Sequence, residues 1–251
     1  MWLFFVRHGQ TDDNVQGIIQ GHRDTPLNDY GRFESIRLAK RLSKYPITEA
    51  WSSPLSRAKE TTQAVLQYHD NVPLRTPNEL KERGLGSMEG RRRKKGERAP
   101  ADAEDFESLS RRTKTWFDRL LASHESESSS SRHDHSSHTR YLRTPLHGNN
   151  HTRHARHNSH NLPRAIDVVL VVTHGAWLSN FIRLLTSPIY HFSVREGVNL
   201  GLPCANTSIM AVSCEWENGE WNGIIEDWGN VNHLLDVLGE EVQEVPDDVR
   251  Q

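Results

Sequence analysis

Two stretches of this chain run apolar and then stop at a basic or imidazole side chain. Trp2–Val6 leads directly into Arg7-His8-Gly9, and Ile166–Val172 leads into Thr173-His174-Gly175. A third apolar stretch, Ile47–Trp51, is followed closely by Arg57 across Ser52-Ser53-Pro54. Were the three to lie side by side as strands, Arg7, His8, Arg57 and His174 would meet at their carboxyl ends, where open α/β sheets bind ligands. Two guanidiniums and two imidazoles suit a phosphoryl dianion above other groups, because the planar arginine fork matches phosphate oxygens. A neutral imidazole in such a clamp can attack phosphorus, while the surrounding cations stabilise the charge spread over the equatorial oxygens. The leaving alkoxide then needs a proton and the incoming water must lose one, and one carboxyl group can serve both steps. Glu82, in the irregular stretch Leu80-Lys81-Glu82-Arg83-Gly84-Leu85-Gly86, is the candidate.

The elements that must position these groups are legible to different degrees. Residues 2–6 read as a buried strand. Gln10–Asp29, rich in Asp, Asn, Gly and Gln, reads as an exposed loop. Gly31 should introduce a helix carrying Phe33, Ile36, Leu38, Ala39 and Leu42 inward and stopping at Pro46. Ser53 has the character of a helix N-cap and Pro54 of a first-turn residue, which places Arg57 about one turn into a helix. Helix N-termini at Pro54 and Gly175 would add N–H donors for an anion. Asp105–Ala122 reads as a helix. Ile166–Val172 has the continuous apolar character of a central strand covered on both faces. Thr207–Trp216 and Trp221–Trp228 flank Asn218-Gly219, a hairpin signal. The expected fold is α/β: a three-layer sandwich with a mainly parallel sheet, helices on both faces and a C-terminal antiparallel hairpin.

Composition bounds the rest. The chain has 251 residues, a formal charge of −2 and only two cysteines, Cys204 and Cys214. That balance excludes bulk polyanion binding and a disulfide framework, and favours reduced thiols in the cytoplasm. The opening apolar run is cut by Arg7, too early for a secretory signal, and no run reaches membrane-spanning length. Residues 123–164 are Ser, His, Arg and Asn with few apolar side chains, and hold nine of the fifteen histidines. They read as a disordered insertion in a domain of residues 1–235, with an acidic tail at 236–251. His133-Asp134-His135 and His154-x2-His157 within it have metal-ligand types but no rigid frame, so a solvated linker is the reading and no metal is expected. The basic run Arg91–Arg98 has three readings: a solvated face, a nuclear or nucleic-acid patch, or an overhang of the site that draws in anionic substrates.

With these residues in place the chain resembles the histidine phosphatase superfamily, in its phosphoglycerate mutase-like branch. The resemblance is carried by Arg7-His8-Gly9, Ser53-x3-Arg57-x2-Glu60-Thr61, Leu80-x-Glu82-x3-Gly86 and Thr173-His174-Gly175. Asn14, the run Gln20-Gly21-His22-x-Asp24-x-Pro26-Leu27, Asn206-Thr207-Ser208 and Gly229-Asn230-x-Asn232-His233-Leu234 extend it. It implies a phosphohistidine on His8, a phosphate pocket of Arg7, Arg57 and His174, and Glu82 as proton donor and acceptor. It also implies Asn14, Gln20 and Gly21 along the substrate site, no cofactor, and a small phosphorylated substrate rather than nucleic acid or membrane. True mutases follow the glutamate with Arg-His-Tyr-Gly and place a basic pair further on. Here the glutamate is followed by Arg83-Gly84-Leu85-Gly86, and Arg111-Arg112 stand on the predicted helix. The pattern is most similar to the broad-specificity phosphatases of the branch; a phosphoglycerate mutase and a non-catalytic phospho-ligand-binding scaffold are the alternatives.

Overall fold

The computed structural model describes residues 1–128 and 167–235. The bulk of the insertion, with its His133-Asp134-His135 and His154-x2-His157 pairs, and the tail 236–251 lie outside the described residues. The elements are β1 (Trp2–Arg7), α1 (Asp12–Gln16), α2 (Asp29–Leu42), β2 (Glu49–Ser52), α3 (Ser56–Leu66), β3 (Leu74–Arg75), α4 (Phe106–Ser128), β4 (Val168–Thr173), α5 (Gly175–Leu185), β5 (Ser193–Val194), β6 (Ile209–Glu217) and β7 (Glu220–Asn230). Their strands form one sheet in the order β3-β2-β4-β1-β6-β7-β5. Of its neighbouring pairs only β1–β6 and β6–β7 are antiparallel.

The alternation of side chains along a strand divides the core. Leu3 and Phe5 point to one face with Val169 and Val171, and pack with Trp116 and Phe117 of α4 and Trp177 and Phe181 of α5. Trp2, Phe4 and Val6 point to the other with Leu170 and Val172, against Leu38 and Leu42 of α2 and Ala58 and Val65 of α3. Both faces of β1 and β4 are therefore covered, which is why their sequences are apolar throughout rather than alternating. The layers, the largely parallel sheet and the β6–β7 hairpin match the architecture expected from sequence.

Several local readings are corrected. Gln10–Asp29 is not an exposed loop: it contains α1, and Ile19, Gln20 and Leu27 are buried. The second helix starts at Asp29, capped by the Asn28 side chain, with Gly31 inside its first turn. Gly31 is there because the Gln10 backbone passes so close that a Cβ would sit 2.1 Å from the Gln10 carbonyl oxygen. Conversely, a Cβ on Gly9 would lie 2.6 Å from the Gly31 carbonyl oxygen, so two glycines let the segment after β1 lie on α2. The third helix starts at Ser56 rather than Pro54. The long helix runs on to Ser128, six residues past the expected boundary.

Candidate active site

Strand register brings the site together. β1 and β4 run parallel with Arg7 beside Thr173, and β2 and β4 run parallel with Ser52 beside Val172. The residues that follow, His8, His174 and Ser53, therefore emerge at one level of the carboxyl edge. The amide of His8 donates to the Thr173 carbonyl (3.0 Å) and that of Ser53 to the Val172 carbonyl (2.9 Å), fixing the level. β6 begins at the same edge, because Val6 faces Ile209. Its lead-in closes over the strand end: the Thr207 amide donates to the carbonyls of Arg7 and His8, and Asn206 Nδ2 to the His8 carbonyl (2.9 Å).

The hydrogen bonds of His8 assign its tautomer. Nδ1 lies 2.7 Å from the Gly9 carbonyl oxygen, which can only accept, so Nδ1 carries the proton. Nε2 is then the lone pair, and Arg57 Nε donates to it at 3.3 Å. Burial, followed by the charges of Arg57 and Arg7, holds the imidazole well below its ordinary pKa, so it is neutral at neutral pH. Arg57 is wholly buried. Its Nη1 donates to the Arg23 carbonyl (2.7 Å) and its Nη2 to the Gly21 carbonyl (3.0 Å), which locks the fork. Burial brings its pKa down to about 10, still cationic at pH 7. Arg7 donates from Nη1 to the Cys204 carbonyl (2.7 Å), while its buried Nε has no partner among the described residues.

His174 is also wholly buried, its ring centroid 5.0 Å from that of His8. Burial, then Arg57, His8 and Arg7, keep it neutral. Nε2 lies 2.7 Å from Ser53 Oγ, and Nδ1 has no partner among the described residues. Two buried polar nitrogens, on Arg7 and His174, thus lack partners beside a neutral imidazole, an arrangement completed by an anion with several acceptor oxygens.

The Glu82 carboxylate crosses to the start of α5. Oε1 accepts from the amides of Arg83 (2.8 Å) and Trp177 (3.0 Å), and Oε2 from that of Ala176 (3.1 Å). The open first-turn amides of a helix favour a carboxylate there. This corrects the expectation that the helix N-terminus at Gly175 serves an anionic ligand: two of its amides are taken by Glu82. The other one expected, at Pro54, fails similarly, since Ser53 Oγ takes the Leu55 amide and Asp24 the Ser56 amide.

A cleft of about 470 Å3, open to solvent, has Arg7, His8, Asn14, Gln20, Gly21, Arg57 and Glu82 along its wall, joined by Arg83, Gly175 and Ala176. Every expected site residue is therefore brought together, with His174 beside His8 rather than on the wall itself. Arg111 and Arg112 are not there: Arg111 pairs with Glu107 on the surface, and Arg112 is bound to Glu104 and to loop carbonyls.

Sequence reasoning missed Ser53 as a partner of His174, because a serine before Pro reads as a helix cap. It missed Thr61, whose Oγ1 accepts the Gly9 amide (3.0 Å) and donates to the Arg57 carbonyl (2.8 Å), tying the two motifs together. It named Arg112 only as half of a basic pair for substrate, not as the support of the Glu79–Glu82 carbonyls that the structure shows.

The sequence profile described as histidine phosphatase superfamily (branch 1) matches residues 3–144. A probable phosphatase of Schizosaccharomyces pombe is 40% identical over 90 residues, covering 36% of this chain and 43% of that protein. A broad-specificity phosphatase of Saccharomyces cerevisiae is 40% identical over 92 residues, covering 35% of this chain and 40% of that one. The chain thus spans about two fifths of the length of these relatives. The solved YhfR of Bacillus stearothermophilus is similar in fold, with a TM-score of 0.64 at 22% identity over 93% of this chain and 98% of that one. Since the profile match takes in more than half of the 251 residues and carries three of the four motifs, the chain belongs to the histidine phosphatase superfamily, branch 1.

Proposed function

We propose that the protein hydrolyses small phosphomonoesters through a phosphohistidine on His8. The observation that carries this is the unprotonated Nε2 of a buried, neutral His8 held beside the Arg57 guanidinium. Nε2 attacks phosphorus in line, the N–P bond forms and the P–O bond to the alcohol breaks. Arg7, Arg57 and His174 hold the three equatorial oxygens as their charge redistributes. Glu82, on the cleft wall, gives its proton to the leaving oxygen. It then takes one from the water that cleaves the N–P bond, releasing phosphate and restoring His8. Asn14, Gln20 and Gly21 line the approach.

Hydrolysis is favoured over phosphate transfer between positions of one substrate by the engagement of Arg112 elsewhere. The basic pair that would retain a bisphosphate has one member committed to Glu104 and the other on the surface. The same proposal reads residues 1–235 as one domain, since β1 pairs with strands after the insertion. The helix to Ser128 shortens the inserted stretch at its start. It places the protein in the cytoplasm, where its two free thiols, Cys204 and Cys214, stay reduced. Among the described residues no helix is long and apolar enough to cross a membrane.

The test is phosphate release from 4-nitrophenyl phosphate, with an acid-labile, base-stable phosphoenzyme trapped by rapid quench. His8→Ala should abolish both, lowering kcat by a factor of about 1,000 or more. Turnover surviving in His8→Ala would remove the proposal.

A further inference from the structure

Beyond the phosphoryl cleft lies a second, larger one, with about 1210 Å3 of empty space open to solvent. The two share Ile19, Arg83, Leu85 and Ala176, so a ligand can run from one into the other. Four guanidiniums line it, those of Arg83, Arg93, Arg98 and Arg183, against one carboxylate, Glu97. That carboxylate is already neutralised by a two-pronged ion pair with Arg91, at 2.7 and 2.9 Å. The side chains of Arg98 and Arg183 have no ion pair or hydrogen bond among the described residues. Part of the floor is apolar: Leu85, Met88 and Phe106, with the Arg83 guanidinium 4.0 Å over the Phe106 ring. Asn180 is buried at 7% exposure, and its Oδ1 accepts from Ser110 at 2.9 Å. Its Nδ2 has no partner among the described residues, which leaves a donor for a ligand.

We propose that this second cleft is an anion subsite, so that the substrate is a phosphomonoester with a carboxylate or second phosphate at the far end of a sugar-sized body. The inference rests on phosphoryl transfer at His8 and names what that reaction acts on. Distance sets the size. Arg183 follows Ala176, which lines both clefts, by seven residues of α5, about 10 Å of helix. The arginine side chain leans back toward the helix N-terminus, which leaves a six-carbon body between the two anions. The ligand body lies over Leu85 and Phe106, and its hydroxyls reach Asn180. Guanidiniums suit carboxylate and phosphate alike.

Three esters sharing a 6-phosphate separate the outcomes: glucose 6-phosphate, 6-phosphogluconate, which adds a carboxylate, and glucose 1,6-bisphosphate, which adds a phosphate. The wild type should favour at least one of the latter two in kcat/KM. In Arg98→Ala/Arg183→Ala that preference over glucose 6-phosphate should fall about tenfold, the worth of a partly solvated charge-assisted contact. Lys94→Ala/Lys95→Ala removes the same charge without touching either cleft and should leave the preference intact. Which ester shows the preference identifies the second anion as carboxylate or phosphate. No preference in the wild type, or an equal fall in both double variants, overturns the subsite while phosphate release from all three esters leaves the proposed chemistry standing. Absence of phosphate release from every ester, 4-nitrophenyl phosphate included, overturns that chemistry instead. Calorimetric binding of the two esters that carry a second anionic group to wild type and to Arg98→Ala/Arg183→Ala then decides the subsite, and equal affinities reject it.

Discussion

Replacing Arg112 by alanine is a severe test of how Glu82 is held. The guanidinium donates five hydrogen bonds. Two form a fork onto Glu104, from Nε at 2.6 Å and Nη2 at 2.8 Å. Three reach carbonyls of the stretch that carries Glu82: Glu79 and Lys81 at 2.7 Å and Glu82 itself at 2.8 Å. Burial pushes the Glu104 carboxyl up, but the hydrogen bonds and charge of Arg112, with the Gly84 amide and His22, bring it below its ordinary value. Truncation removes all five bonds at once. At about 1 kcal/mol net for each, the ceiling is ~5 kcal/mol. Arg112 and Glu104 are 19% and 17% exposed, so water reaches some of the vacated acceptors and about 3 kcal/mol is the expected loss.

Other contacts hold the same stretch, namely Trp177 Nε1 on the Glu79 carbonyl and Thr173 Oγ1 on the Leu80 carbonyl. The variant should therefore fold, with Glu82 displaced rather than lost. A displacement of about 1 Å costs of the order of a hundredfold in rate. That cost should fall on alkyl phosphates, whose leaving oxygen needs a proton, and spare 4-nitrophenyl phosphate, whose leaving group does not. Denaturant melts read the stability, and kcat for the two esters reads the position of Glu82. Arg112→Lys keeps the charge but not the fork and should fall between. Unfolding free energy within about 0.5 kcal/mol of wild type, with an unchanged ratio between the esters, would refute the account of this loop.

Three further outcomes follow from the buried histidines and Glu34. Ser53→Ala removes the partner of His174 Nε2, so the ring loses its fixed tautomer; inhibition by orthovanadate should weaken about tenfold and stability fall by ~1 kcal/mol, and an unchanged inhibition constant rejects Ser53 as a positioning residue. His8, His174 and His233 all have pKa values pulled below 6.5 by burial, that of His233 to about 4. Below pH 6.5 the unfolded chain takes up protons that the native chain refuses, so their contribution is complete above that pH and declines as pH falls. His233 alone accounts for ~3 kcal/mol between pH 7 and pH 4. Glu34 has the opposite sign, since burial raises its carboxyl to about 7 and the native chain loses stability as pH climbs from 4.5 through 7. Glu34→Gln, which keeps an acceptor for the Gln10 amide, should stabilise at pH 8 and not at pH 5; equal effects at both pH values would contradict this.

What the sequence determined by itself was the set of candidate site residues that the structure brings together. An apolar run that stops at Arg7-His8 or at Thr173-His174 declares both a buried strand and the side chains at its end, because burial on two faces leaves no alternation to hide them. The layers followed from the same runs. What only tertiary structure decided was who serves whom. Ser53 reads locally as a helix cap, yet the register of β2 on β4 sets it against His174. The amides of α5 look available to a ligand, yet Glu82, nearly a hundred residues earlier, reaches them. Arg112 looks like a substrate-binding cation beside Arg111, yet it is spent on the loop that positions Glu82. Hydrogen bonds between distant segments leave no periodicity in a sequence, because each is settled by which strands pair and how close two backbones pass.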